Sequence, residues 1–199
     1  VYFTATLESP LERHLYSVPL AGAQPRKLSS ATGMHSFEFS DNAAVYIDNW
    51  NNPETPPQSE LHAADGSLLR KLTDNVLEQG HPYFPYLAAH RPIRYGTIAA
   101  SDGQLLQYSL ITPAGFDASK KYPVVVEVYG GPAAGQQVTR SWSAGYDQFL
   151  AQQGYLVFSL DNRGTTRRGQ RFETPIHRHM GGVEVEDQLR GLDYLATLP

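Results

Sequence analysis

The sequence predicts a chain in two parts: an all-β repeat of propeller-blade type, then the opening of an α/β domain. Three observations carry that reading. Tripeptide matches recur 44 positions apart in the first part. The strand-like alternation then lapses in a proline-rich stretch, and beyond it two apolar runs flank a helical pattern. Composition agrees with a globular chain, since 41% hydrophobic and 18% charged residues exclude a disordered one. No apolar run reaches the ~18–20 residues of a membrane span, so this chain carries no membrane segment. The net charge of −4 is too small to imply a nucleic-acid or membrane partner. With no cysteine there is neither a disulfide framework nor thiolate chemistry.

The first part divides into two similar stretches. Val1-Tyr2-Phe3 matches Val45-Tyr46-Ile47, and Arg26-Lys27-Leu28 returns as Arg70-Lys71-Leu72. The offset falls within the ~40–50-residue period of propeller blades. In the second stretch Ser36–Ser40 alternates Phe37 and Phe39 with polar neighbours, and Asp41-Asn42 turns. Ala44–Ile47 returns, Glu60–Ala63 follows, Asp65-Gly66 signals a hairpin, and Leu68–Leu72 closes the unit. The first stretch shows three such strands and lacks the opening one. Asn49–Pro57 reads as a polar, proline-rich excursion between strands, with Trp50 either a loop anchor or a binding aromatic.

Both ends of the chain read as cut. Val1-Tyr2-Phe3-Thr4 begins inside a strand-like alternation without an initiator Met, signal peptide or cap. Leu195–Pro199 stops where a helix should hand over to its next element. An internal piece of a longer protein is therefore expected.

Asn75–Arg91, with Pro82, Pro85 and Pro92 restricting the backbone, is a linker between domains. The domains are accordingly 1–87, the repeat and linker, and 88–199. Acidic side chains outnumber basic ones ten to five before that boundary and nearly balance after it.

The second part opens with a hairpin, Ile93–Ala99 and Leu105–Thr112 around Ser101-Asp102-Gly103-Gln104. Next comes KYPVVVEVYGGP, Lys121–Pro132. Pro123 leads into Val124, Val125, Val126 and Val128, a β-branched run broken only by Glu127. It reads as a strand buried on both faces, ending at Tyr129, where Gly130-Gly131-Pro132 must turn sharply. Ser141 or Ser143 can cap a helix bearing Tyr146, Phe149 and Leu150 on one face and ended by Gly154. Tyr155–Leu160 is a second buried strand. A long loop rich in arginine runs to His179. Gly181-Gly182 then introduces a helix with Val185, Leu189, Leu192 and Leu195 at helical spacing. Its Glu184, Glu186 and Asp187 suit the positive end of the helix dipole. The order is an antiparallel entry followed by a parallel βαβα unit.

Tyr129 is the candidate functional residue. A tyrosine at such a strand end has its hydroxyl lifted from the sheet beside glycine backbone that a ligand can approach. In α/β-hydrolases the loop after this strand supplies part of the oxyanion hole. The alternative is an aromatic plug followed by an ordinary turn.

No G-x-S-x-G occurs in the 199 residues, so Ser–His–Asp catalysis cannot be completed within them. His177 and His179 lie two apart but among arginines and without a third ligand, which reads as a solvated loop and not a metal site. His14, His35, His62, His81 and His90 are scattered and form no site pattern. Arg163, Arg167, Arg168, Arg171 and Arg178 are a dense basic cluster. Phosphate or acidic substrate groups could bind there, but pairing with loop carbonyls and with carboxylates of the next helix is the better reading. Phe172 is the lone aromatic there, too little for a nucleic-acid platform.

The strings VEVYGGP, DNRGTTRRGQRFE and GGVEVEDQLRGL together resemble the hydrolase domain of the prolyl oligopeptidase family of serine peptidases. The similarity is to the dipeptidyl peptidase IV branch, where tyrosine stands at the position of Tyr129 and other branches often carry histidine. The repeat-bearing residues 1–87 are similar to the last blades of that branch's β-propeller. The resemblance implies a β-propeller end followed by the N-terminal part of an α/β-hydrolase domain. It also implies that the Tyr129 hydroxyl helps to stabilise the tetrahedral oxyanion, with serine, aspartate and histidine beyond Pro199. The paired glutamates that hold a substrate's free N-terminus in that branch would precede Val1.

On the same resemblance, the intact enzyme releases N-terminal dipeptides with Pro or Ala second, by acyl-enzyme chemistry without a cofactor. Its partner is a peptide substrate, with a homodimer of the intact enzyme and a periplasmic or secreted location as further expectations. The rivals are a non-catalytic propeller–hydrolase binding protein and an oligopeptidase or acylaminoacyl peptidase of the same family.

Overall fold

The computed structural model describes residues 1–132 and 135–198. They fall into two compact units, Val1–Ala88 with Thr139–Trp142, and Ala89–Val138 with Ser143–Pro199. Pro199, where the helix was expected to hand over, lies outside the described residues. The inclusion of Thr139–Trp142 in the first unit has no signal in the sequence. Those residues are tied in by the Arg140 N–H, which donates to the Leu11 carbonyl, and by the Trp142 N–H on Asn51 Oδ1, both at 2.8 Å.

The first unit holds two antiparallel sheets. One comprises β1 (Tyr2–Ala5), β2 (His14–Ser17) and β3 (Arg26–Lys27). The other comprises β4 (Met34–Phe39), β5 (Val45–Asn52), β6 (Thr55–Ala63) and β7 (Leu68–Thr73) in sequential order. The 44-residue repeat thus maps β1, β2 and β3 onto β5, β6 and β7, and β4 is the strand without a counterpart. Leu15, Leu28 and Tyr46 form its buried core, with Tyr2, Phe37 and Phe39 packed around them.

The expected excursion at Asn49–Pro57 is instead a hairpin. β5 runs on through Asn52 and β6 starts at Thr55, with a register irregularity between Trp50 and Asn52. Two prolines fit in β6 because its pairing with β7 begins only at Ser59. Pro56 and Pro57 therefore remove no hydrogen bond from that ladder. Trp50 stacks on His35 with ring centroids 6.0 Å apart, so it packs on its own sheet. The proline-rich linker carries one helical turn, α1 (Phe84–Leu87).

In the second unit β8 (Ile93–Ala99) and β9 (Leu105–Ile111) form the expected hairpin. β10 (Val124–Glu127), α2 (Tyr146–Gln152) and β11 (Leu156–Asp161) follow. The sheet order is β10-β11-β9-β8, with β10 parallel to β11 and the other pairs antiparallel. After β11 come α3 (Gln170–Glu173), a 3-10 turn at Thr174–Ile176 and α4 (Val183–Thr197).

β11 is the strand covered on both faces. Val157 meets Leu150 and Ala151 of α2 on one side, while Phe158 and Leu160 lie in the core that Tyr194 and Leu195 of α4 pack against. β10 is not doubly buried as its valines suggest. It pairs with β11 alone, Val124 remains 39% exposed, and the strand ends at Glu127, two residues before Tyr129.

Each helix brings only part of its expected face to the core, Leu150 in α2 and Leu195 in α4. In α2, Leu150 is buried with Gln148 and Ala151, but Tyr146 and Phe149 are exposed. Gly145 occupies the N-cap position with no side-chain cap, and Ser143 Oγ instead donates to Asp147 at 3.2 Å. In α4, Val185, Leu189 and Leu192 are exposed, whereas Glu184, Asp187 and Gly191 are buried. Gly191 lets the helix approach the sheet, since a Cβ there would lie 3.0 Å from Phe158. Glu184 accepts from the Gly181 and Gly182 N–H groups and so caps its own helix.

Candidate active site

The turn after β10 presents Tyr129 as a half-exposed side chain, 54% accessible. Gly130 has φ +74°, a left-handed conformation that glycine adopts without strain. The Tyr129 N–H donates to Gln137 Oε1 at 2.5 Å, and its hydroxyl donates to the Pro132 carbonyl at 3.2 Å. Gly135 lies directly against the ring, where a Cβ would overlap the ring carbons. The ring is therefore seated on bare backbone, as expected for a turn built from small residues.

Two residues at the end of β11 hold this turn from below. Asp161 is buried and accepts from the backbone N–H of Gln137 at 2.8 Å and from that of Val138 at 3.3 Å. Burial pushes its carboxyl up to about 6, against the opposing pull of those two donors. Asn162, also buried, donates from Nδ2 to the Gly130 carbonyl at 3.3 Å and to the Arg163 carbonyl at 2.7 Å. Its Oδ1 accepts from Gln188 of α4 at 2.9 Å, which settles the orientation of the amide. Beside them Ser159 Oγ donates to Glu127 at 3.4 Å. Burial, and then the charge of Asp147, push the Glu127 carboxyl upward.

Sequence reasoning singled out Tyr129 and missed Gln137, Asp161 and Asn162. Gln137 has no local signal at all. The Asp-Asn pair was legible only as the start of the loop after Leu160, not as a support for a loop some thirty positions earlier.

Of the other candidates, Arg163 and Arg168 have defined structural partners. His177 and His179 are exposed, and among the described residues no group of three or more His, Cys, Asp or Glu could hold a metal. Arg163 pairs with Asp187 and Glu186 of α4, as expected of the arginine cluster. Arg168 donates to the Leu105 carbonyl at 2.6 Å and lies 4.2 Å from the centre of the Phe172 ring. In the first unit two of the scattered histidines prove to be neighbours. His14 and His35 lie 5.1 Å apart, His14 between Glu12 and Ser29, and His35 on Asp48. Both are buried beyond reach of a ligand.

Among the described residues this turn offers one hydroxyl donor beside glycine backbone, an arrangement that can stabilise negative charge brought to it.

A family model described as the dipeptidyl peptidase IV N-terminal region matches residues 1–57. A second, described as the prolyl oligopeptidase family, matches residues 141–199. A probable dipeptidyl peptidase 4 of Aspergillus flavus is 34% identical over the whole chain, which covers 26% of that relative. A probable dipeptidyl-aminopeptidase B of Trichophyton verrucosum is 33% identical over 96% of the chain and 21% of its own length. The crystal structure of Porphyromonas gingivalis dipeptidyl peptidase 4 matches the whole chain with a TM-score of 0.90 at 31% identity, over 28% of its length. A putative dipeptidyl aminopeptidase IV of Bacteroides ovatus matches likewise with a TM-score of 0.83 at 32% identity. The chain therefore spans about a quarter of the length of such relatives.

The chain belongs to the prolyl oligopeptidase family. Within that family, the match of residues 1–57 and the structural neighbours place it in the dipeptidyl peptidase IV branch.

Proposed function

We propose that the chain is the junction of a serine exopeptidase: residues 1–87 end a β-propeller and residues 88–199 begin an α/β-hydrolase peptidase domain. The intact enzyme releases N-terminal dipeptides, with Pro or Ala second, through an acyl-enzyme. Its nucleophile, aspartate and histidine lie outside these residues. Tyr129 supplies one donor of the oxyanion hole. The observation that carries this reading is the half-exposed Tyr129 on its Gly130 turn, at the end of a strand parallel to β11, in a chain whose relatives are named dipeptidyl peptidases.

In the resting turn the Tyr129 hydroxyl has a weak acceptor, the Pro132 carbonyl at 3.2 Å. A substrate oxygen that gains full negative charge in the transition state is the stronger acceptor. The hydroxyl then exchanges one partner for the other, so the donor acts where charge develops and not on the bound substrate. No cofactor takes part. A homodimer and a periplasmic or secreted location belong to the same proposal.

The test is hydrolysis by the intact protein of a Pro-linked dipeptide chromophore with a free or a blocked N-terminus, together with fluorophosphonate labelling. Release from the free form alone, with labelling, is expected. Equal release from the blocked form indicates an oligopeptidase or acylaminoacyl peptidase. Absence of labelling indicates a binding protein that has lost its nucleophile.

A further inference from the structure

We propose that Asp161 is a positioning residue for the Tyr129 hydroxyl, acting through Gln137. The inference rests on the reading of Tyr129 as an oxyanion donor and adds to it the groups that hold that donor in place.

Asp161 occupies a position where a carboxylate is expensive to keep. It is 2% exposed at the end of β11, and an apolar or amide residue there would avoid the desolvation of a charge. The carboxylate accepts from two successive backbone N–H groups, those of Gln137 and Val138. Two consecutive donors on one acceptor fix the direction of the backbone at that point. The Gln137 side chain is then aimed back across the turn, and its Oε1 takes the Tyr129 N–H at 2.5 Å. The backbone of Tyr129 is thereby anchored to β11, although no hydrogen bond of the β10–β11 ladder extends past Glu127. Asn162 secures the next residue by donating to the Gly130 carbonyl.

The seat matters because Tyr129 has little else to hold it. It lies outside the strand and is half exposed, and its ring rests on Gly135. A hydroxyl at the end of such a side chain swings widely with small changes in its own backbone. An oxyanion donor must be preorganised to be effective. Charged groups near Asp161 do not offer an alternative purpose for it. Arg168 acts on it from a distance, but that arginine spends its close hydrogen bond on the Leu105 carbonyl.

The experiment is a double-mutant cycle in the intact enzyme with Asp161→Asn and Tyr129→Phe, reading kcat and KM separately. Asp161→Asn is expected to lower kcat by roughly 10- to 100-fold, the scale of a misplaced group, with KM nearly unchanged. In the Tyr129→Phe background the same change should lower kcat by no more than about twofold, because the hydroxyl it positions is gone. An equal loss in both backgrounds overturns the proposal, since it marks a structural effect independent of the hydroxyl. A near-normal kcat for Tyr129→Phe alone is a different failure: it removes the oxyanion reading, and the positioning role falls with it. Should Asp161→Asn not fold, Gln137→Met decides the matter. It removes only the acceptor for the Tyr129 N–H, and it should show the same kcat loss and the same dependence on the hydroxyl. Normal turnover in Gln137→Met overturns the proposal.

Discussion

Arg163 and Asp187 form a buried ion pair, with Nη2 2.7 Å from one carboxylate oxygen and Nε 3.0 Å from the other. The Arg163 backbone N–H donates to the same carboxylate at 2.8 Å. Arg163 also reaches Asp102 at 3.5 Å in the β8–β9 turn and Ser101 Oγ at 3.2 Å. One guanidinium thus joins three segments of the second unit: the entry hairpin, the loop after β11 and the first turn of α4. The fork of five donors suits this task, and a lysine could not replace it.

Arg163→Met should destabilise the second unit by about 3–5 kcal/mol, because it leaves Asp187 charged, buried and unpaired. Adding Asp187→Leu should recover much of the loss, since no buried charge then remains. Urea unfolding of the three variants in the intact protein measures both effects. A double variant no more stable than Arg163→Met would mean that the pair is not the source of the loss.

Tyr129→Phe in the intact enzyme removes the hydroxyl and keeps the ring on Gly135. If that hydroxyl is the oxyanion donor proposed above, its loss costs ~10²–10³ in kcat, about 2.7–4 kcal/mol. The loss should appear in kcat with KM little changed, and the melting temperature should hold. If the tyrosine is only a plug, kcat stays near normal and the melting temperature falls.

Asp161 should give stability a particular pH dependence. Its carboxyl is raised in the folded state from 3.8 to about 6, so the folded protein binds this proton more tightly than the unfolded chain. The corresponding stability is full below the unfolded value and is lost as pH rises through about 6, roughly 3 kcal/mol in all. Melting curves between pH 4 and 7.5 should show the Asp161→Asn variant lacking that decline relative to the parent. Identical slopes would contradict the burial of this carboxylate.

Gly164 has φ +103°, and a Cβ there would overlap the Ile176 side chain. Gly164→Ala should lower stability by about 1–3 kcal/mol, combining backbone strain with the clash. Ile176→Val in the same molecule should recover only the part due to crowding. A thermal melt of each variant separates the two contributions.

The 199-residue polypeptide by itself should hydrolyse nothing, because the proposed oxyanion donor gives little turnover without a nucleophile. Purified polypeptide is assayed with a Pro-linked dipeptide substrate. Saturable turnover sensitive to fluorophosphonate would show that an attacking group has been overlooked in it.

The elements themselves were legible because their causes are local. Alternating apolar residues and turn dipeptides mark the strands of the first unit, and the 44-residue repeat pairs β1 with β5. The glycines before Val183 and the turn at Asp102-Gly103 set boundaries for the same reason. Tyr129 stood out because a tyrosine ahead of two glycines is a local pattern too. What each face would meet was not legible. Of the stripe Val185, Leu189, Leu192 and Leu195 on α4, the first three are exposed and Leu195 alone packs against the core, while the helix turns Asp187 and Gly191 inward. Periodicity states which residues lie together, not which partner awaits them. Arg163 supplies a buried charge that Asp187 meets at shortest range, and Phe158 needs the space that Gly191 leaves. The valines of β10 likewise suggested a doubly covered strand, but coverage depends on neighbouring elements, and β10 pairs along one edge only. The seat of Tyr129 is the plainest case. Gln137 and Asp161 stand 8 and 32 positions from it, and the β10–β11 pairing brings all three together, which no local preference of the chain specifies.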